Sequence, residues 1–199
     1  MMTQRPSGVY DMERGSEDQQ RTIPQKLITE VWLQNYERTG TGWLRLLSGS
    51  MAPLINTGDQ VLIEKIVPAD IGIGDIITFR RNDVLITHRV IRKFIKDHRQ
   101  YFIERADTSM YCSEVDSQAI IGRVIKIRKG DNHEIVFNTA SWRLFNRVIG
   151  CGFLLSSTAY HMGKKISWLP RPLRTCIGKL FSAAKYVQKK VLSGKMNSV

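Results

Sequence analysis

Apolar positions along the chain change their period twice. Behind Thr22-Ile23-Pro24, residues Leu27, Ile28, Val31 and Trp32 recur at helical spacing, and the pattern stops at Thr39-Gly40-Thr41-Gly42. That spacing predicts a helix whose apolar face makes core contacts. From Trp43 to Arg128 the pattern becomes short runs over 60–67, 76–81, 85–95, 100–105 and 119–128, rich in Val, Ile, Phe and Tyr. Such runs predict strands, and Gly58-Asp59, Gly74-Asp75 and Gly130-Asp131 supply turns between or after them. The helical period returns with Trp142, Phe145, Val148 and Ile149, breaks at Pro170 and Pro172, and resumes over 173–192. The fold class expected is mainly β, a small coiled antiparallel sheet with an N-terminal helix and a helical C-terminal appendage. The corresponding divisions are a flexible polar arm at 1–21, a β domain with its leading helix at 22–138, and the appendage at 139–199.

Charge divides the chain at the same place. The 199 residues carry 30 Lys+Arg against 18 Asp+Glu, a net +12. Residues 135–199 contain no acid and 11 basic groups, which leaves 19 basic and 18 acidic groups in residues 1–134. The body is therefore nearly neutral and the appendage cationic. In the helix expected over 173–192, Arg174, Lys179, Lys185, Lys189 and Lys190 lie mostly away from Leu173, Ile177, Leu180, Phe181, Ala184, Val187 and Val191. This is a basic amphipathic pattern suited to an anionic membrane surface.

Composition excludes several classes. With 42% hydrophobic and 24% charged residues, disorder of the whole chain is not expected. Cys112, Cys151 and Cys176 are odd in number and widely spaced, so neither a disulfide framework nor a zinc site is expected. His98 and His133 lie in charged turns and His161 in the appendage, each without ligand partners at metal spacing, so no metal and no cofactor is expected. The N-terminal stretch lacks the apolar core of a secretory signal, and no run of 18 apolar residues occurs. A peripheral attachment on the cytoplasmic side is the corresponding expectation.

The chemistry concentrates at Ser48-Gly49-Ser50-Met51-Ala52-Pro53, followed by Gly58-Asp59. A serine stands just ahead of a proline-stiffened turn, and Gly49 lets another chain come close. S-G-S-M-x-P followed by G-D resembles the nucleophile box of type I signal peptidases and their relatives, the self-cleaving SOS-type repressors. Three further segments match in order. Ile73-Gly74-Asp75-Ile76-Ile77-Thr78-Phe79 resembles the G-D-I-V-x-F strand, and Ile86-Thr87-His88-Arg89-Val90-Ile91 resembles the general-base segment. Ala106-Asp107-Thr108, Asp116-Ser117 and Ile120-Ile121-Gly122-Arg123-Val124 resemble the elements that close the site.

The resemblance covers about residues 43–128, and His88-Arg89-Val90 places it with the archaeal and endoplasmic-reticulum subtype, which uses histidine where bacterial enzymes use lysine. It implies a serine endopeptidase in which Ser50 attacks and His88 is general base, as serine chemistry near neutral pH requires. A carboxylate would orient the imidazole. Asp116 is favoured for its D-S context, and Asp107, in an A-D-T departure from G-D-N, is the alternative. Ser48 and the Ser50 N–H would hold the oxyanion. The substrate implied is a leader or signal segment of a peptide or protein precursor.

Family members usually carry a spanning helix, and the cationic appendage is the candidate substitute, each basic group contributing about 1 kcal/mol near an anionic leaflet. Two other readings stay open: a catalytically silent peptide-binding domain at a membrane, and a self-cleaving DNA-associated regulator. Nucleic acid is not the expected partner, because no helix-turn-helix pattern precedes the peptidase-like region.

Overall fold

The computed structural model describes residues 25–130 and 133–161. The expected arm at 1–21, the helix-opening residues 22–24, and the expected helix with Arg174, Lys179, Lys185, Lys189 and Lys190 lie outside the described residues. Helix α1 (Gln25–Thr39) leads into strand β1 (Thr41–Arg45), and after the serine loop come β2 (Gln60–Glu64), β3 (Ile76–Arg81), β4 (Val84–Lys96) and β5 (Arg99–Arg105). Next follow β6 (Cys112–Asp116), β7 (Ile120–Lys129), β8 (His133–Val136) and helix α2 (Ala140–His161). The strands form one sheet in the order β1-β2-β7-β3-β4-β5-β6, with β8 also on β7, and every pairing is antiparallel. The mainly β fold expected from the sequence is the fold found.

Period-2 alternation along β3 feeds two cores. Ile76 joins Val61, Ile63, Val124 and Ile127 on one face, with Met51, Leu54 and Ile55 of the serine loop. Ile77 and Phe79 join Val90, Phe102 and Val115 on the other. Both faces of β3 are thus buried, as a coiled sheet that folds over itself requires.

Helix α1 packs differently from its sequence pattern. Leu27, Ile28 and Val31, expected in the core, are all at least 49% exposed. The helix instead faces the sheet with Thr29, Trp32 and Tyr36, of which Thr29 and Tyr36 are buried. Polar anchors decide the orientation: Trp32 Nε1 donates to the Trp43 carbonyl at 2.7 Å and Tyr36 Oη to that of Ile121 at 3.0 Å. The two rings stack at 5.1 Å and lie against Gly42 and Gly122, where a side chain on the strand would collide with them.

Three strands had no counterpart among the expected runs. β1 (TGWLR), β6 (CSEVD) and β8 (HEIV) hold two apolar side chains each, not set in alternation. Pairing with β2, β5 and β7 specifies them.

Helix α2 lies across the Gly74 turn. Gly74 has φ +94°, and a Cβ there would collide with the backbone of Asn146, while one on Gly150 would meet Gly74 Cα at 2.8 Å. This glycine-to-glycine crossing brings Ile149 and Phe153 onto Ile91. The first part of the expected appendage is therefore in contact with the sheet.

Candidate active site

The serine box forms a loop between β1 and β2. Its base is closed by Leu46 N–H to the Asp59 carbonyl (2.9 Å) and Gly58 N–H to the Leu46 carbonyl (2.8 Å), with Gly58 at φ +91°. Asp59 accepts from the Asn56 N–H at 2.8 Å and from Lys129 Nζ at 2.9 Å. Met51, Leu54 and Ile55 sink completely into the core. They hold Ser50 at the half-buried rim of the loop. The Ser50 carbonyl accepts two hydrogen bonds from Thr108, from its N–H at 3.1 Å and its hydroxyl at 3.0 Å. Ser48 Oγ lies 3.4 Å from Ser50 Oγ. The Ser50 N–H donates to no group among the described residues.

His88 and Arg89 are neighbours on β4 and point to opposite faces. The His88 ring meets the Phe79 ring edge-on at 6.2 Å, and its Nδ1 lies 2.6 Å from Glu104 Oε2. Glu104 is buried, and its Oε1 accepts from the Ser113 hydroxyl and, at 3.2 Å, from Arg81 Nη2. Burial alone would push the Glu104 carboxyl up. The hydrogen bonds from His88 and Ser113, with the charges of His88 and Arg81, outweigh that and hold it below the usual carboxylate range.

Neither expected aspartate reaches the imidazole. Asp107 spends both oxygens on Arg89, at 2.9 Å to Nε and 2.7 Å to Nη2. Asp116 turns back on its own chain, accepting from the Gln118 N–H at 2.8 Å and capping the short 3₁₀ turn that follows β6. The carboxylate on His88 is Glu104, which sequence reasoning missed. The Ser48 and Ser50 hydroxyls lie within 3.4 Å of each other, whereas no hydrogen bond joins Ser50 to His88 among the described residues.

Arg89 is fully buried, and besides Asp107 it donates from Nη1 to the Gly74 carbonyl (3.0 Å) and to Asn146 Oδ1 (2.8 Å). A guanidinium with no access to water is tolerable only with such a set of acceptors. Asp107→Ala leaves its charge uncompensated and is expected to cost about 3–5 kcal/mol of stability. Urea unfolding at neutral pH reads this as a lower midpoint at unchanged slope. A loss below about 1 kcal/mol, the scale of an exposed pair, contradicts the assignment of this pair as the clamp between β4 and the 106–109 turn.

The sequence model of the Peptidase S24-like family matches residues 7–125 of the chain. That span contains Ser48, Ser50, His88, Glu104, Asp107 and Asp116. No curated protein matches the chain.

Proposed function

The chain belongs to the Peptidase S24-like family, a family of serine peptidases, and we propose that Ser50 is its nucleophile and His88 its general base. The observation that carries this reading is the His88–Glu104 pair at 2.6 Å. A buried carboxylate on Nδ1 fixes the tautomer that leaves Nε2 able to accept a proton, and it stabilises the imidazolium that results. Ser50 Oγ attacks the scissile carbonyl, His88 takes its proton, and the same proton then goes to the leaving amine. In this reading the Ser50 N–H and the Ser48 hydroxyl are the donors to the developing oxyanion. The Ser50–His88 hydrogen bond this reading requires belongs to the substrate complex, where catalytic hydrogen bonds commonly tighten.

The substrate we propose is an extended segment of a precursor, a leader or signal peptide. Exposed Leu47, Met110 and Tyr111, each within three residues of Ser50 or Thr108, offer apolar contacts along its path. The decisive experiment is covalent labelling with a fluorophosphonate, followed by incubation with candidate leader peptides and mass spectrometry. Labelling that persists in Ser50→Ala removes the assignment. Cleavage of the chain itself in place of any added peptide would replace the leader-peptide reading with self-processing.

An anionic membrane surface is the proposed place of work. No helix among the described residues is long and apolar enough to cross a membrane. Helix α2 exposes Leu144, Val148 and Leu155 along one stripe, with exposed Arg143 and Arg147 beside it. An apolar stripe bordered by arginines suits the headgroup boundary. Full-length protein is expected to co-sediment with phosphatidylserine-containing vesicles, and Leu144→Asp with Val148→Asp is expected to weaken this about tenfold or more. Equal binding to pure phosphatidylcholine vesicles would defeat the electrostatic part of the proposal.

A further inference from the structure

Helix α2 touches the serine loop nowhere in the hydrogen bonds described, yet two buried arginines connect it to the turn that holds Ser50. Asn146 Oδ1 accepts from Arg89 Nη1 at 2.8 Å, and the same guanidinium grips Asp107 through two hydrogen bonds. The residue after Asp107 is Thr108, which supplies both hydrogen bonds to the Ser50 carbonyl. The second arginine, Arg105, lies over the Phe153 ring at 4.3 Å and donates to the Ser109 carbonyl at 2.5 Å. Both ends of the 106–109 turn are therefore fixed by arginines that α2 itself contacts.

Each link is stiff for a physical reason. Arg89 and Asn146 are buried, so a lost acceptor leaves the guanidinium with a costly deficit. The bidentate pair fixes the plane of the Asp107 carboxylate. Gly74 and Gly150 set the helix against the β3 approach at backbone contact, which denies it room to slide. A guanidinium deprived of Asn146 keeps the Gly74 carbonyl and Asp107 but is free to tilt, and the turn tilts with it.

We propose that α2 is a positioning element of the Ser50 site, acting through Asn146 as the residue that fixes Arg89 and, through Asp107 and Thr108, the serine loop. The inference rests on Ser50 being the nucleophile. It assigns Asn146 no contact with substrate.

The test uses the full chain, with saturation kinetics of fluorophosphonate labelling and amide exchange at Thr108. Asn146→Ala is expected to lower the maximal labelling rate about tenfold with the half-saturating concentration unmoved. It should also speed Thr108 exchange while amides of the β2–β7 pairing keep their protection. Asn146→Asp keeps an acceptor opposite Arg89 and should restore labelling to within about threefold of wild type. If Asn146→Ala does not fold, Asn146→Leu, with the same branching and number of side-chain heavy atoms but no acceptor, takes its place. A wild-type maximal rate, or wild-type Thr108 exchange, in the variant lacking the acceptor overturns the proposal. Labelling that survives Ser50→Ala identifies instead a failure of the nucleophile assignment, and Thr108 exchange then still decides whether α2 holds the turn.

Discussion

Ser50→Ala is expected to lower peptide cleavage by roughly 10⁶ and to remove fluorophosphonate labelling altogether. The size follows from what the side chain does. Without Oγ no acyl intermediate forms, and only the oxyanion donors and substrate binding remain to assist attack by water. His88→Ala is expected to lose nearly as much, because an unassisted serine hydroxyl is a poor nucleophile at neutral pH. The double variant should be no worse than either single one, since nucleophile and base act as a unit. That non-additivity separates a peptidase from a silent binding domain. In a silent domain the two substitutions would leave peptide affinity near wild type and no rate to lose. The fold provides a control: Ser50 is at the loop rim, and the buried anchors Met51, Leu54 and Ile55 are untouched. Peptide cleavage by Ser50→Ala at a tenth of the wild-type rate would be incompatible with the assignment.

The serine loop, the turns at Gly58 and Gly74 and the longer strands were legible because each is specified locally, by turn chemistry or by alternation over enough residues. The orientation of α1 was not. Its apolar residues Leu27, Ile28 and Val31 suggested one face, but hydrogen bonds from Trp32 and Tyr36 to Trp43 and Ile121, 11 and 85 residues away, chose another. Such long-range anchors leave no periodic trace.

The missed carboxylate has an equally definite cause. The hairpin β4–β5 turns at Asp97-His98, both with positive φ, and pairs Lys96 with Arg99. Continued without interruption, that register sets His88 opposite Asp107. The pairing shifts between Val90 and Arg92, where Ile91 is the extra residue, so Arg89 pairs with Arg105 and Val90 with Glu104. One bulge exchanges the partners of two adjacent side chains. His88 falls on the face of Glu104, and Arg89 on the face of Asp107. Sequence alone shows no turn residue at Ile91 to announce it. Asp116 misled for a different reason: its carboxylate serves the chain bend that follows β6, a capping role that a D-S pair fits equally well.

Glu104 therefore carries the second large prediction. Glu104→Ala is expected to lower the cleavage rate by roughly 10⁴, the scale seen when an orienting carboxylate is lost from a serine–histidine pair, whereas Asp116→Asn should stay within about twofold of wild type. Glu104→Gln is the sharper probe. It keeps the shape and hydrogen-bonding capacity at Ser113 but removes the charge that stabilises the imidazolium. It also leaves Arg81, now 3.2 Å from Glu104, without its carboxylate and facing a histidine that must become positive. A large fall in rate with little change in peptide affinity is the expected result. Acid behaviour gives a second readout. Because the folded carboxyl is held below its unfolded value of about 4.3, its stabilising contribution is complete above that pH and is lost as pH falls through the depressed folded value. Wild type should thus lose stability relative to Glu104→Gln only below about pH 4.3, and Glu104 should contribute no titration to the rate between pH 5 and 8. If Asp116→Asn proved the crippling substitution and Glu104→Gln the mild one, the orienting role would return to the aspartate and the pair at His88 would be structural only.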